Sequence, residues 1–420
     1  MYLRSFFVFF LLSCSLPNVI VFCQGGSPGG SPGKISSCNT SLRPGKEERI
    51  LITGGTGMIG SQLVKQSLDT CVFGSSKRVF VLARWRSNLK NLSGYVHRIK
   101  LIYGDVTDAF HTLEILRETK PDYILHFAAQ AINGVSFQAA SLSLHVNIQG
   151  TLNILEGIRV LQKDDVLSKD LRILVAGSSA EYGAAAIEWE GTPIPETAML
   201  KPFTPYGVSK VAQENLAVMY ASTYGIKATV ARIFIQMAEG GTDQLSLQNF
   251  AKQIAEIESR AEREKQECTS ATGDSGPAGR CSAEVVSSTS DAEIPVEDKK
   301  TDYVLLHGDL STSRDVTDVA DSARIFLEIC KRGTPGEAYN VGSGVGYTIR
   351  DMLNILLRYT TVPIRLEYDP TRRRGADEKT LLADNRKVRE LTGWVPSPNI
   401  TDTAVNILNH WRDEVATRNR

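Results

Sequence analysis

The sequence predicts an α/β fold, in which a doubly wound parallel sheet is joined to a smaller C-terminal α/β region. Three observations lead to this prediction. The chain is 420 residues long and 42% hydrophobic, which is enough material for a large core. Short β-branched runs alternate with helical patterns, and a glycine-rich turn joins the first such run to the first helix. This alternation is typical of parallel strands connected by helices.

Composition argues against nucleic-acid binding and against a metalloprotein. Lys and Arg together number 47, as do Asp and Glu, so the formal net charge is zero. A neutral chain does not fit a dedicated nucleic-acid binder or a polybasic membrane-surface protein. The seven cysteines are too sparse for a disulfide scaffold and include no C-x-x-C pair, so no metal site is predicted.

The first residues are predicted to direct transport rather than to join the fold. Residues 1–23 contain a basic start and the apolar run FFVFFLL, which is typical of a signal peptide or a signal anchor. Residues 24–46 form a flexible linker rich in Gly, Ser and Pro. We expect the secretory pathway or a signal-routed organelle, without a stable membrane span once the signal is removed. A cytoplasmic location follows if the start of the chain is misassigned. Asn39, Asn91 and Asn399 lie in glycosylation sequons, which are usable only in the secretory lumen.

A strand, a glycine turn and a helix open the folded body. The apolar run Arg49–Thr53 predicts the strand, and Ser61–Ser67 reads as the helix. Glycine permits a tight turn and the close approach of a pyrophosphate, whose charge then faces the free N–H groups of the helix start. This order indicates a Rossmann dinucleotide-binding fold, although a tight turn without a ligand is the alternative. The candidate cofactor-binding residues here are Gly54, Thr56, Gly57, Met58, Ile59 and Gly60.

The end of the second strand favours NADP over NAD. A carboxylate commonly ends this strand in sites that prefer NAD, where it binds the ribose diol. Here the strand Arg78–Ala83 runs into Arg84 and Arg86 instead. Guanidinium groups suit a 2′-phosphate because they bind it with a planar pair of donors. The alternative is that both arginines are a solvated surface pair.

The next two strands supply further candidate contacts to the dinucleotide. The strand Arg98–Tyr103 is followed by Asp105, which would accept from the adenine amino group or cap the following helix. The strand Asp122–Phe127 ends in small residues, which leave room for the cofactor. The candidates at these strand ends are Asp105, Val106, Ala128 and Ala129.

Three residues form the predicted catalytic group. Ser178 follows the strand Leu171–Ala176, and the carboxyl ends of parallel strands are where ligands bind in such sheets. Tyr206 and Lys210 are four apart in a helical stretch and so share one face. Both are also candidate cofactor-binding residues. The lysine ammonium is expected to lower the pKa of the phenol, which makes Tyr206 a proton donor to a carbonyl. The alternative for this pair is an exposed helix start with a snorkelling lysine.

In this order the motifs resemble the extended short-chain dehydrogenase/reductases, the NAD-dependent epimerase/dehydratase family that acts on nucleotide sugars. The resemblance spans residues 47–411 and is strongest to the branch of GDP-mannose 4,6-dehydratase and GDP-4-keto-6-deoxymannose reductase. The segments that indicate this branch are RWRS at 84–87, LIYGD at 101–105, HFAAQ at 126–130, RDVTDV at 314–319, YNVGSG at 339–344 and residues 372–377.

The resemblance also implies domain organisation, ligands and partners. Residues 47–235 would form an NADP-binding Rossmann domain. Residues 236–415 would mainly bind the nucleotide sugar, with segments returning to the first domain. A GDP-linked sugar substrate, a homodimer, and NADPH rather than NAD are expected. The implied substrate-binding residues are Gln130, Asn147, Arg314 and Arg374, of which the two arginines match those that bind the diphosphate. A solvated basic run is the alternative for Arg374.

One position separates the two reactions of this branch. The dehydratases use a Glu two residues after the Ser or Thr of this site to take a proton from C5, and this chain has Ala180 there. Glu181 comes one residue later and would point to the opposite side of an extended segment. The loss of a general base costs about a hundredfold to ten-thousandfold in rate. The sequence therefore favours NADPH-dependent reduction of a GDP-4-keto-6-deoxyhexose, with dehydration of GDP-mannose or 4-epimerisation as alternatives.

Some features depart from the branch. Ile235 stands where related enzymes usually have Asn, and Gly375 replaces the usual Pro. Residues 262–300 are charged and poor in apolar residues, so we expect a disordered insertion, in which Cys268 and Cys281 could pair. A catalytically silent dinucleotide-binding module is a hypothesis of a different class. The presence of the whole Ser-Tyr-Lys group argues against it.

Overall fold

The computed structural model describes residues 46–271, 303–372, 380–397 and 399–419. The predicted signal segment and almost all of the predicted linker lie outside these residues. Within the described ranges, no helix is both long enough and apolar enough to cross a membrane.

Fourteen strands and eleven helices make up the described part of the chain. The strands are β1 (Glu48–Thr53), β2 (Lys77–Ala83), β3 (Lys100–Tyr103), β4 (Tyr123–His126), β5 (Arg172–Ala176), β6 (Pro193–Ile194), β7 (Lys227–Ile233), β8 (Ile235–Met237), β9 (Val304–His307), β10 (Ser313–Asp318), β11 (Ala338–Val341), β12 (Gly346–Thr348), β13 (Arg365–Tyr368) and β14 (Thr380–Ala383). The helices are α1 (Met58–Asp69), α2 (Ala109–Thr119), α3 (Asn133–Ser136), α4 (Ala140–Leu144), α5 (Gly150–Lys163), α6 (Pro205–Tyr224), α7 (Ser246–Ala271), α8 (Val319–Arg332), α9 (Ile349–Leu357), α10 (Arg386–Thr392) and α11 (Thr401–Arg418).

The larger sheet has seven parallel strands in the order β11-β7-β5-β4-β1-β2-β3. Helices α1 and α8 pack together on one face, and α2, α5 and α6 pack on the other. The strand order reverses between β1 and β4, which is where such sheets bind ligands. The predicted doubly wound α/β fold is confirmed.

The smaller region forms around a second core. Strand β10 pairs with β12 in antiparallel fashion and with β8 and β14 in parallel, while α7, α9 and α11 enclose an apolar cluster. The two regions exchange strands, because β6 joins β14 in the smaller sheet and β11 returns to the larger one. The predicted domain boundary after residue 235 falls within β8.

The predicted disordered insertion needs a correction at its beginning. Helix α7 continues to Ala271, beyond residue 262. The charged residues there favour a helix, since Glu, Arg, Lys and Gln have high helix propensity and Arg260 pairs with Glu264 one turn later at 3.3 Å. Residues 272–302, the side chain of Cys268 and all of Cys281 lie outside the described part of the structure, so the predicted disorder and pairing there stay predictions.

One buried carboxylate joins three parts of the smaller region. Asp315 on β10 is 1% exposed. Its Oδ1 accepts hydrogen bonds from the N–H and hydroxyl of Ser343, and its Oδ2 accepts from the N–H groups of Gly344 and Ala383 at 2.8 and 2.9 Å. A carboxylate suits this place because all four groups around it are donors.

Replacement of this carboxylate should destabilise the fold. In Asp315→Asn one oxygen becomes an amide that cannot accept, which leaves two buried donors without a partner. We expect a loss of about 3 kcal/mol in the free energy of unfolding, measured by urea denaturation. Asp351→Asn is the matched control, because Asp351 also accepts N–H bonds but is exposed at the start of α9. An equal loss in both variants would contradict this account.

Candidate active site

The glycine turn between β1 and α1 is shaped by backbone crowding. Gly54 has a φ of +71°, and a Cβ there would lie 2.6 Å from the carbonyl carbon of Phe127. A Cβ on Gly60 would lie 2.1 Å from the carbonyl oxygen of Gly54. Both positions therefore require glycine for folding. Gly57 differs, since it is exposed and begins α1 without a side-chain cap for the first N–H groups of the helix. Such a helix start fits the diphosphate of a dinucleotide.

A buried histidine joins the glycine turn to the neighbouring strand and helix. The Thr151 hydroxyl donates to the carbonyl of Asn147, so it accepts from His126 Nε2–H at 3.0 Å. His126 Nδ1 then accepts from the Thr53 hydroxyl at 2.8 Å, and Thr53 Oγ1 accepts from the N–H of Ala128 at 3.1 Å. Burial lowers the pKa of His126 to about 3, so the ring is neutral at pH 7. This network fixes the strand end at which the predicted cofactor contacts Ala128 and Ala129 lie.

The predicted adenosine end is an open cleft of about 610 Å³. Its lining residues are Arg84, Trp85, Arg86, Ser87, Tyr103, Gly104, Asp105, Asp108 and His111. Arg84 and Arg86 are both exposed, and the guanidinium of Arg86 lies 4.2 Å from the centre of the Trp85 ring. Their side chains therefore line a cleft in which a phosphate could be bound.

Asp105 does not cap the following helix, which was one of its two predicted roles. Asp105 Oδ1 accepts from the N–H and hydroxyl of Thr107 at 2.9 and 2.8 Å. Asp108 is the N-cap of α2 and accepts from His111 N–H. The role toward adenine remains a prediction for Asp105. Its neighbour Val106 is 5% exposed and packs toward α5.

Asn147 lies in a π-helical turn, His145–Gln149, between α4 and α5. The side chain is fully buried. Its Oδ1 accepts from Gln130 N–H at 2.7 Å, and its Nδ2 donates to the Gln130 carbonyl at 3.2 Å and to Ser209 Oγ at 2.8 Å. Ser209 in turn donates to the carbonyl of Tyr206 at 2.6 Å. These contacts give Asn147 a role in positioning α6 and the chain at Gln130. A π-helical turn is a common feature near functional sites.

Helix α6 brings the predicted catalytic side chains together. The helix starts at Pro205 and is capped by Thr204, whose Oγ1 accepts from Gly207 N–H at 2.9 Å. A Cβ on Gly207 would lie 2.6 Å from the carbonyl oxygen of Ala180, so glycine permits the helix to touch the turn that carries Ser178. The Ser178 side chain lies near Tyr206 and acts to lower the pKa of its phenol.

Lys210 is 2% exposed and lies on the same face of the helix as Tyr206. Its Nζ is 5.6 Å from the centre of the Tyr206 ring and donates to the carbonyl of Ala176 at 2.8 Å. The structure therefore brings Ser178, Tyr206 and Lys210 together at the carboxyl end of β5. The alternative of an exposed helix start with a snorkelling lysine is wrong, because Lys210 is buried.

The expected lowering of the Tyr206 pKa needs a correction. Burial raises the pKa of Tyr206 to about 12, although the Ser178 side chain works in the opposite direction. Burial also lowers the pKa of Lys210 to about 8. Desolvation is the largest cause of the raised pKa of Tyr206, so Tyr206 is a neutral phenol at pH 7. A neutral phenol is the form that donates a proton.

Sequence reasoning missed a buried ionic cluster behind Ser178. Arg232 on β7 pairs with both oxygens of Glu214, with Nε–Oε2 at 2.9 Å and Nη2–Oε1 at 2.5 Å. Glu181 is fully buried beside this pair, and its Oε1 accepts from Ser178 N–H at 2.6 Å. Ser179–Glu181 forms a 3-10 turn rather than an extended segment. Glu181 points inward, whereas Ala180 is partly exposed.

The predicted substrate side is described only in part. Arg314 is partly buried at the start of β10, and its Nη1 donates to the carbonyl of Ser313 at 2.8 Å. Arg374 and Gly375 lie outside the described residues. Ile235, where a polar residue is usual, is 37% exposed at the start of β8.

A second missed residue is Asn91, which the sequence marks only as a sequon. Its Nδ2 donates to the carbonyl of Thr56 in the glycine turn at 3.1 Å and to that of Gly240 at 3.3 Å. Asn91 therefore connects the cofactor turn to the loop after β8. No local signal distinguishes this contact, since its partners are distant in sequence.

The fold and the site define a dinucleotide-binding α/β protein with a Ser-Tyr-Lys group. The family model of GDP-mannose 4,6 dehydratase matches residues 51–275 and 289–406. GDP-6-deoxy-D-mannose reductase of Pseudomonas aeruginosa is 26% identical over 70% of this chain and 82% of its own length. UDP-glucose 4-epimerase of Lactobacillus helveticus is 25% identical over 86% of this chain and 96% of its own. The structure of RMD from Pseudomonas aeruginosa complexed with NADPH has a TM-score of 0.62 at 23% identity, covering 87% of this chain and 99% of that one.

The chain belongs to the GDP-mannose 4,6-dehydratase family. This family includes dehydratases, reductases and epimerases of nucleotide sugars that use a nicotinamide dinucleotide. The resemblance predicted from the sequence is thereby confirmed at the level of the family and its branch.

Two glycine substitutions should separate folding from cofactor binding. In Gly60→Ala the new methyl group overlaps the Gly54 carbonyl, so we expect a loss of about 1–3 kcal/mol in the free energy of unfolding. Gly57→Ala has room for a Cβ, at 3.4 Å from the nearest atom, and should fold normally. It should weaken NADPH binding about tenfold, since a methyl group would obstruct a hydrogen bond to the diphosphate. Thermal unfolding and NADPH fluorescence titration measure the two effects. Unchanged affinity in Gly57→Ala would place the diphosphate elsewhere.

Proposed function

We propose that this protein reduces the 4-keto group of GDP-4-keto-6-deoxymannose with NADPH. The observation that carries the proposal is the direction of two neighbouring side chains. Ala180 occupies the partly exposed position where dehydratases of this branch have their base, and Glu181 is buried and bonded to Ser178 N–H. The site thus has a proton donor beside Ser178 but an alanine where elimination needs a base.

The protonation state of the site supports the same direction of reaction. When bound, NADPH would supply the hydride for C4 of the sugar. Tyr206 carries its proton in the resting site and can give it to the carbonyl oxygen, so that the ketone becomes an alcohol. Ser178 would hydrogen-bond the same oxygen. The Lys210 ammonium would stabilise the phenolate that forms when Tyr206 loses its proton. Epimerisation and dehydration would both begin with oxidation at C4, for which Tyr206 would have to start as a phenolate.

The proposed substrate and cofactor have separate support. Arg84 and Arg86 line the cleft at the end of β2, where a 2′-phosphate would be bound. The Pseudomonas aeruginosa RMD structure holds NADPH, and the reductase of that organism acts on a GDP-6-deoxymannose by its name. Arg314, with Arg374 from outside the described residues, would bind the diphosphate of the sugar nucleotide. A homodimer is proposed on the resemblance alone.

Routing into the secretory pathway is proposed from residues 1–23.

Removal of the phenol hydroxyl should slow reduction strongly while NADPH still binds. Tyr206→Phe should lower kcat for GDP-4-keto-6-deoxymannose by about a hundredfold to ten-thousandfold, as is usual for the loss of a general acid. NADPH oxidation followed by absorbance measures the rate, and fluorescence titration should show that the variant still binds NADPH. Tyr224→Phe, an exposed tyrosine near the end of the same helix, is the matched control.

The reaction assay also separates the alternatives. Conversion of GDP-mannose to a keto product by the wild-type chain would contradict the reductase proposal in favour of a dehydratase. Turnover of a nucleotide sugar to its 4-epimer without net NADPH consumption would favour an epimerase. NADPH binding without turnover of any of these sugars would indicate the binding module.

Cofactor preference should depend on the two arginines after β2. In the double variant Arg84→Ala/Arg86→Ala we expect KM for NADPH to rise about tenfold or more, because the 2′-phosphate loses charge-assisted hydrogen bonds, while KM for NADH stays unchanged. Arg78→Ala is the control, since Arg78 is exposed on the same strand but pairs with Glu47. An equal rise in KM for NADPH and for NADH would show that the arginines do not bind the 2′-phosphate.

A further inference from the structure

Glu181 is a buried acid, and its surroundings provide a hydrogen-bond donor to only one of its two carboxyl oxygens in the described part of the structure. Its side chain is fully buried, and Oε1 accepts from Ser178 N–H. Its Oε2 has no hydrogen-bond partner within the described part of the structure. Burial of an ionised carboxylate without a partner is costly, and such a group usually takes up a proton instead.

The positive charges near Glu181 are not sufficient to neutralise a second carboxylate beside Glu214. The turn that carries it packs against α6 and β7. From β7, Arg232 gives two short bonds to Glu214 and stays 3.8 Å from Glu181 Oε2. From α6, Lys210 donates to the carbonyl of Ala176 rather than to Glu181. One guanidinium therefore lies near two carboxyl groups, and its hydrogen bonds go to Glu214.

We propose that Glu181 is a positioning residue that acts as a neutral carboxyl: it keeps its proton at neutral pH, holds Ser178 in place and keeps negative charge away from Tyr206 and Lys210. The capping geometry supports the positioning role, since Glu181 bonds Ser178 N–H while Ser178 Oγ accepts from Ala180 N–H at 3.2 Å. The catalytic consequence rests on the proposed reductase function.

The electrostatics of the cluster agree with this geometry. Burial, followed by the charge of Glu214, raises the pKa of Glu181 well above its usual range. Burial also acts to raise the pKa of Glu214, but the bonds from Arg232 bring it below its usual range. An ionised Glu181 would raise the pKa of both Tyr206 and Lys210. Proton donation by Tyr206 would then be harder, so activity should fall when Glu181 loses its proton.

The first experiment does not depend on turnover. Above pH 4.5 the unfolded chain releases the proton of residue 181, while the folded wild type keeps it up to its raised pKa. Each pH unit in that window therefore increases the unfolding constant of the wild type about tenfold relative to Glu181→Gln, which has no such proton. Urea denaturation of both proteins from about pH 5 to about pH 8 measures the difference. Glu188→Gln, at an exposed carboxyl nearby, should show no such slope. A pH-independent difference between wild type and Glu181→Gln would overturn the proposal.

Infrared spectroscopy gives a second readout of the same proton. The wild type should show the carbonyl stretch of a protonated carboxyl at pH 7, shifted in D₂O and missing in Glu181→Gln. Absence of that band from the wild type would also overturn the proposal.

Activity tests the positioning role. Glu181→Gln keeps an acceptor for Ser178 N–H without a charge, so kcat should stay within about twofold and the alkaline fall in activity should move to higher pH. Glu181→Ala removes the acceptor and should lower kcat on the order of a hundredfold with KM for NADPH unchanged. Equal losses of kcat in both variants would contradict the proposal that Glu181 acts as a neutral carboxyl. If the wild type does not reduce the keto sugar, the proposed function fails, whereas the denaturation and infrared results still decide the state of Glu181.

Discussion

The contact between the first turn of α6 and the backbone of Ala180 is the constraint on which the predicted catalytic arrangement depends. Gly207 has no side chain and so permits this approach. Because Tyr206 precedes Gly207 and Ser178 begins the turn that contains Ala180, backbone packing sets the distance between these two candidate catalytic residues. The buried polar groups maintain this packing from behind, through Glu181 on the turn and through Asn147 and Ser209 on the helix.

The features that sequence analysis identified correctly have local signals. The glycine turn lies between an apolar strand and a helix, and each of its tight positions can be inferred from the steric needs of that turn. The Tyr-x-x-x-Lys spacing likewise follows from helical geometry. The parallel sheet follows from the alternation of strands and helices, and its order places both motifs at the same edge. Fold, family and branch could therefore be predicted without coordinates, and all three are confirmed.

The features that sequence analysis missed depend on residues far apart in the chain. Arg232 and Glu181 are 51 positions apart, and only the pairing of β5 with β7 brings their elements together. The pKa of Tyr206 depends on burial, which spacing does not reveal, so this pKa is raised where the sequence predicted a lowered one. At the charged end of α7 the error is of another kind. Composition suggested disorder there, but the high helix propensity of the charged residues prevails.

The bond network of Asn91 has a consequence for the biosynthesis of the protein. Its Nδ2, the atom to which an oligosaccharide would be attached, is held between the carbonyls of Thr56 and Gly240. Asn399 belongs to a similar sequon, but it is exposed, and its Oδ1 accepts from Thr401 N–H. In a compartment with glycosylating enzymes, the folded chain would present Asn399 and shield Asn91. A sugar on Asn91 would thus mark those molecules that were modified before they folded.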